Sequence, residues 1–414
     1  MKATDDSLWI TLDFHASKKS MHQWSYLKKY NNFISEKFSK NIECWVPKYT
    51  DPEIINEIGQ IIARPILRTP EYLEKESCSP IVFYLYLLVE RLLKTVTKIS
   101  SPVVTNCVRQ LIASVFLRKV VKRLIKLGYN KRLVHIVIPT TTPIVIRMLE
   151  RIPHQFRQYF VFHLGFLTGE NKGIFQIVDF EKKILELSKS FKIKIGAETK
   201  SYQENLFQKF DEKLLIFWCP TPSLKNRSQK KFNAFRNESE GMKQQLKIGF
   251  LGNARPNKGF TNIPNLVAEL IQNGYKYQYY IQKALYPWPS YEKSVRQIIK
   301  LAGKDANFID SNISQKDFID KLREMDILVL PYNFNDYKYS GSGILFDASD
   351  YGIPVVASSG VSFEWDLINY GIGSVFDSKK DFAKSIVFCK QKYASENFDT
   401  YNRARNFSCY NFLS

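Results

Sequence analysis

The chain has 414 residues, 60 Lys and Arg against 40 Asp and Glu, and a formal net charge of +20. That length predicts two units of roughly 200 residues rather than one domain, and contents of 44% hydrophobic and 14% aromatic residues supply two cores and exclude a coreless chain. The positive charge demands an anionic partner or environment, for which nucleic acid, acidic phospholipid and polyanionic glycan intermediates all qualify.

Taken in chain order, residues 8–14 predict a strand, 23–38 a helix and 42–47 a second strand. Apolar helical stretches follow at 81–97 and 107–127. The longest apolar run, Ile81–Val89, meets Glu90–Arg91 far short of the roughly 20 residues a membrane crossing needs. In 111–128 the basic residues Arg118, Lys119, Lys122, Arg123 and Lys126 share one helical face, and Val120, Val121, Leu124, Ile125 and Leu127 fill much of the rest. Such a helix either lies in an anionic membrane interface or packs on a core with a solvated basic face; periodicity does not separate the two. Next come strands at 135–139, 159–164, 192–197 and 214–218, with helices at 143–152 and 175–190. The polar stretch 221–246, with Pro222 and little periodicity, predicts a linker. Beyond it, strands are expected at 247–251, 277–282, 306–310, 327–331 and 354–358 with helices between them, and the aromatic segment 394–414 predicts a terminal helix. Strand–helix alternation throughout argues for α/β units with parallel sheets.

Six cysteines, Cys44, Cys78, Cys107, Cys219, Cys389 and Cys409, form no C-x-x-C pair, so a disulfide frame and a zinc site lose support. The start MKATDDSLWITLDF places acids where a signal peptide needs a cation and then an apolar run, so a cytoplasmic protein is expected. Among five histidines there is no H-E-x-x-H spacing, no G-x-S-x-G elbow occurs, and no D-x-D pair is present.

Two segments carry chemistry. In KIGFLGNARPNKGF, 247–260, an apolar run stops at Gly252, and a loop with Asn253, Arg255 and Lys258 closes on Gly259 before an amphipathic segment, 262–275. Glycines let a backbone approach an anion, a helix start offers unpaired N–H groups, and the two cations neutralise charge, so the loop points to a phosphate. It matches neither G-x-x-x-x-G-K-[ST] nor G-x-G-x-x-G. The alternative is a tight strand-to-helix turn with solvated basic side chains. In 326–359 a buried strand ends at Pro331, a polar loop leads to Ser342–Gly343, and a short helix from Ile344 to about Tyr351 is stopped by Gly352 and Pro354. This second helix start, with the Ser342 hydroxyl, again suits an anion. Asp347 follows one turn later, either in reach of a sugar hydroxyl or as a solvated carboxylate.

Together these segments resemble the retaining glycosyltransferases of the GT-B fold, in particular the large family 4 group. Its patterns are G-R-x-x-x-x-K-G and, some eighty residues on, P-S-x-x-E-G-F-G-x-x-x-x-E-A-x-x-x-G-x-P-V-V-A. The matching positions are Gly252, Lys258, Gly259, Pro331, Asp347–Ala348, Gly352, Pro354, Val355, Val356 and Ala357; the N-terminal half is similar only in element order. The resemblance implies two Rossmann-like βαβ domains facing each other across a cleft: 1–220 on the acceptor side, 247–393 on the donor side, and 394–414 crossing back to the first. It implies that Lys258 and a nearby Arg bind a donor diphosphate and that Asp347 holds the ribose. His163, ending an apolar run, is where related enzymes place a cleft histidine near the donor sugar; a satisfied strand-end histidine is the other reading. Three departures stand out. Asn253 occupies the usual Arg position, with the cation at Arg255. Asp347 replaces Glu. The first acid of the family's pair falls on Tyr339, with Asp336 as a substitute at a different spacing.

The expected activity is therefore retaining transfer of a sugar from a nucleotide-sugar donor to a glycan or lipid-linked acceptor in cell-surface polysaccharide synthesis, on the inner face of the cell membrane. Neither cofactor nor metal is expected, because cations and helix dipoles carry the leaving charge. An idle GT-B relative with a scaffold or regulatory role is the alternative. A nucleic-acid reader is disfavoured, since no reader motif is present.

Overall fold

The computed structural model describes residues 7–13, 22–47, 62–67, 117–165, 180–210, 213–223, 245–377, 379–392 and 395–414. Their packing divides the chain into two units. One comprises Met1–Ala197, Leu206–Cys219 and Tyr410–Ser414, the other Glu198–Asn205 and Pro220–Cys409. The terminal helix Ser395–Leu413 thus belongs mostly to the second unit, and only its last residues pack with the first. The predicted linker lies largely outside the described residues.

The first unit is built on a wholly parallel sheet of seven strands: β1 (Leu8–Leu12), β2 (Ile42–Pro47), β3 (Ile62–Leu67), β4 (Val134–Ile138), β5 (Phe160–Leu164), β6 (Lys192–Ala197) and β7 (Leu215–Trp218). Their spatial order is β3-β2-β1-β4-β5-β6-β7. Strands β1, β4 and β5 read LWITL, VHIVI and FVFHL and are buried at every position, as a parallel sheet covered on both faces requires. Strand β3, IARPIL, is not among the predicted strands. Proline cannot donate to a ladder, so a strand containing Pro65 is tolerated at an edge, where β3 lies. The helix Lys200–Phe210 is a second addition to the predicted elements.

Residues 117–129 are helical. Leu117, Val120, Val121 and Leu124 are buried, whereas Arg118, Lys119, Lys122 and Lys126 are exposed. Arg123 lies over the Trp45 ring, 5.7 Å from its centroid, with Glu43 at 3.6 Å. The core of the first unit consumes the apolar face, so over these residues the interfacial reading is corrected to a packing helix with a solvated basic face. The predicted helix at 81–97 lies outside the described residues. Among those described, no helix is long and apolar enough to cross a membrane.

The second unit holds six parallel strands: β8 (Lys247–Phe250), β9 (Gln278–Gln282), β10 (Ala306–Ile309), β11 (Ile327–Leu330), β12 (Val355–Ser358) and β13 (Gly373–Phe376). Five match predicted strands; β13, GSVF, is short and flanked by glycine, which weakened its pattern. The order is β10-β9-β8-β11-β12-β13. Winding therefore reverses between β8 and β11, which pair with Ile327 opposite Ile248 and Leu328 opposite Gly249. Ligands of open α/β sheets bind at the carboxyl ends of strands flanking such a reversal. Side chains including Ile248, Val267, Leu270, Ile281, Val329, Phe382 and Ile386 fill the core, each large one contributing roughly 1.5–3 kcal/mol.

One buried carboxyl group in this unit titrates far from its ordinary range. Asp366, in the helix Glu364–Asn369, is fully buried, and neither carboxylate oxygen has a hydrogen-bond partner among the described residues. Burial pushes its pKa from 3.8 up to about 8, against the opposing charges of Lys200 and Arg405. The folded chain then holds a proton that the unfolded chain releases between those values, so stability falls as pH rises through that window. Asp366→Asn removes the titration. Its melting temperature relative to the parent is expected to rise by several degrees between about pH 5 and about pH 9, and a pH-independent difference would contradict this account.

Candidate functional site

The loops after β8 and β11 leave adjacent strands, and the first is shaped by two glycines. Gly252 has φ +97° and Gly259 φ +72°, values that L side chains rarely adopt. A methyl group on Gly252 would come within 3.2 Å of the Lys258 ammonium, and one on Gly259 would run into the Pro331 carbonyl. The loop thus folds Lys258 back beneath Gly252 and presses its far end against the start of the β11 loop. The Asn333 N–H donates to the Asn257 carbonyl at 3.0 Å, and the Lys258 Nζ lies 5.7 Å from the Tyr332 ring centroid. Between the glycines a 3₁₀ turn, Pro256–Lys258, precedes a second turn and the helix Ile263–Gln272.

Gln282, ending β9, accepts from the Gly252 N–H at 2.7 Å. Asn253, the departure from the family pattern, accepts from the Leu285 N–H at 3.0 Å and ties the loop that follows β9. That bond occupies its side-chain oxygen. Gln282 was not singled out from sequence, although a buried amide closing a strand beside β8 was an available signal.

On the other side, the helix Gly343–Asp350 begins after Ser342, whose backbone is extended and whose side chain does not cap the helix. The Ser342 hydroxyl instead lies 3.3 Å from the Tyr332 hydroxyl. The first-turn N–H groups of a helix lack intrahelical acceptors. Ile344 approaches the position a methyl on Gly252 would take, at 3.9 Å, so this helix start, Gly252 and Lys258 form one locale. Gly343 and Asp347 are both partly exposed, while Leu345, Phe346 and Ala348 are buried. Four residues apart, they share a helix face.

Arg405 holds that helix from behind. Fully buried, it donates to the Phe346 carbonyl at 3.3 Å, the Ser349 hydroxyl at 2.7 Å and the Asp350 carboxylate at 3.0 Å, and its Nε donates to the Thr221 carbonyl at 3.0 Å. No sequence pattern marked it, because apart from Asn402 its partners are 55 to 184 residues distant.

The electrostatics are uneven. Arg255 is exposed, while Lys258 is partly covered. Burial, followed by the Arg255 charge, lowers the Lys258 pKa from 10.5 to about 8. An anion placed there would offset both effects. The Tyr332 and Tyr337 rings meet at a tilt, with centroids 4.2 Å apart; burial holds both phenols above their ordinary range, Tyr337 at about 12. They form a neutral, hydroxyl-bearing floor beside two cations.

His163 belongs to a different setting. Its side chain is fully buried in the first unit. Its Nε2 lies 3.0 Å from His135 Nδ1, and its Nδ1 lies 3.0 Å from the Phe412 carbonyl. Trp9 stacks on both histidines. Burial lowers the His163 pKa well below 6.5, and that of His135 to about 4. With both ring nitrogens engaged and no exposed surface, His163 reads as a core histidine and leaves the candidate catalytic set. Asp336 is exposed on the short helix Phe334–Tyr337, and Tyr339 is exposed too. Cys44, Cys219, Cys389 and Cys409 are buried free thiols. Among the described residues no group of three or more His, Cys, Asp or Glu side chains is placed to hold a metal ion.

No protein-family model and no curated protein sequence matches the chain. Its fold, however, is shared with solved structures. A sucrose-phosphate synthase from Thermosynechococcus elongatus is 13% identical over 98% of this chain and 96% of its own, with a TM-score of 0.57. Anabaena HepE, in complex with UDP and glucose, is 13% identical over 98% and 97%, with a TM-score of 0.56. The lipopolysaccharide outer core galactosyltransferase WaaB is 11% identical over 98% of each chain, with a TM-score of 0.55. At such identities the likeness speaks for the architecture, and the chain has the two-domain α/β architecture of the GT-B fold.

Proposed function

We propose that the chain is a retaining glycosyltransferase, similar to family 4, that moves a sugar from a nucleotide-sugar donor to a glycan or lipid-linked acceptor in cell-surface polysaccharide synthesis. The observation that carries this reading is the meeting of Lys258, the Gly252 turn and the helix start at Gly343 beside the β8–β11 reversal. Structures of HepE hold UDP and UDP-glucose, and WaaB acts on the lipopolysaccharide outer core; these neighbours support a sugar-nucleotide donor and a surface-glycan acceptor.

In this mechanism the diphosphate lies at Arg255, Lys258 and the first-turn N–H groups of Gly343–Asp350, while Asp347 accepts from the ribose. The bond between the anomeric carbon and the phosphate oxygen breaks, and its electron pair goes to the diphosphate. An acceptor oxygen bonds to the anomeric carbon on the same face, and the acceptor's proton leaves with the diphosphate. Fixed cations and N–H dipoles stabilise the growing negative charge without reorganising, usually the largest catalytic contribution. They serve where other transferases use a metal. A second reading, an idle GT-B protein that binds nucleotide or glycan, draws on Tyr339, which puts an exposed phenol where the family places an acid.

The exposed cations Arg118, Lys119, Lys122 and Lys126 extend the proposal to the inner face of the membrane: they attract an anionic surface without inserting, at about 1 kcal/mol each. Reversing all four to Glu is expected to abolish low-salt sedimentation with anionic liposomes and to leave transfer to a water-soluble acceptor unchanged.

Lys258→Ala is expected to lose about 10²–10³-fold in transfer rate while melting as the parent does; parental activity would remove the loop from the site. A thermal-shift panel of UDP, GDP, ADP and CMP identifies the base, since a ligand of the native state raises the melting temperature, and transfer assays with the matching sugars separate the enzyme from the idle reading. Affinity for that nucleoside diphosphate is expected to decline as pH rises through about 8, where free Lys258 deprotonates, and to stay level in Lys258→Arg, whose cation persists. A parental profile flat across that range would contradict phosphate contact by Lys258.

A further inference from the structure

The segment Glu198–Asn205, although it follows a strand of the first sheet, packs with the second unit. There it walls the turn that leads into the helix Gly343–Asp350. A methyl group on Gly341 would lie 2.5 Å from Glu198 Oε2 and 3.0 Å from its Cβ, so the carboxylate rests directly on the backbone of that turn. Tyr202 sets its ring against Tyr339, with centroids 6.3 Å apart. The far side of the turn is fixed by Ser362, whose hydroxyl donates to the Ser340 carbonyl at 2.6 Å. Glu198 is 8% exposed, so its position is set by packing rather than by solvent.

Charge separation defines what this carboxylate can do. Lys258, Arg255 and the helix start serve the negative diphosphate. Bond breaking at the anomeric carbon leaves complementary positive charge on the sugar ring, which a nearby carboxylate stabilises. Tyr339 bears no carboxylate, and Asp336 is exposed on the helix Phe334–Tyr337. Glu198 touches the turn itself, two residues before the helix start.

We propose that Glu198 is the acid that engages the sugar of the donor: it accepts from a ring hydroxyl and sets negative charge beside the anomeric centre. The inference rests on the transferase reading above and deepens it, by assigning the sugar subsite to a residue outside both sequence motifs.

The test compares UDP and UDP-glucose binding by calorimetry in the parent, Glu198→Gln and Glu198→Asp, with melting temperatures as a control on folding. UDP lacks the sugar, so its affinity is expected to stay at the parental value in both variants. UDP-glucose affinity is expected to fall about ten- to a hundredfold in Glu198→Gln, the scale of a hydrogen bond to a charged group. Glu198→Asp, which keeps the charge, is expected to recover part of that loss. An unchanged ratio of UDP-glucose to UDP affinity in Glu198→Gln would overturn the assignment and leave the donor site standing. A parent that binds none of UDP, GDP, ADP or CMP would overturn the donor-site reading, and Glu198 with it.

Discussion

The second unit depends on one constraint: β8 and β11 are parallel neighbours at the point where the sheet reverses its winding. The loops that carry Lys258 and the helix start at Gly343 both leave their carboxyl ends. Because the strands are hydrogen-bonded side by side, loops about 80 residues apart in sequence emerge within reach of each other. The close seating of Gly259 against the Pro331 carbonyl then fixes their relative height. Any side chain at 259 would force the loops apart, so glycine there is a packing requirement as well as a conformational one.

From this anchoring follows the character of the site. Lys258 is held beneath a backbone turn and over an aromatic ring, with a second cation nearby. Burial and the neighbouring Arg255 charge both disfavour the charged ammonium there and lower its pKa. Sites that grip phosphates have this asymmetry: the cost of crowding positive charge is met before the ligand arrives, and the ligand relieves it. Arg405 contributes differently. Saturated by carbonyls, a hydroxyl and a carboxylate, it keeps the helix bearing Asp347 in place, so the dipole of that helix stays aimed at one spot.

The two histidines of the first sheet illustrate how environment decides chemistry. His135 and His163 stand on neighbouring strands, with Val137 opposite His163 and His135 opposite Val161. Stacked with Trp9 and closed off by Phe412, they are neutral and enclosed. A histidine ending an apolar run in sequence fits either a strand-end ligand or a core position. Only the surrounding elements, including the chain's last helix, distinguish the two. The basic helix 117–129 is parallel in this respect: its pattern fits lipid or a protein core, and the burial of Leu117, Val120 and Leu124 against the first unit decides it.

Whatever rests on local chemistry was legible along the chain. Apolar runs of four to six residues between glycine- and proline-marked loops specified most strands and their parallel pairing. Positions such as Gly252, Gly259 and Ser342–Gly343 declared a tight turn and a helix start, since φ > 0 and unpaired N–H groups are local properties. Strands β3 and β13 escaped because a proline and flanking glycines mask edge strands. Tertiary structure decided everything that rests on distant partners: Gln282 on Gly252, Tyr332 beside Ser342, Arg405 behind its helix, Glu198 against Gly341. Apart from Gln282, whose amide closes an apolar strand, none of these residues has a local signature. Each acquires its role from a neighbour that sheet order alone brings near, and sheet order is settled by the packing of whole elements, not by any short stretch of chain.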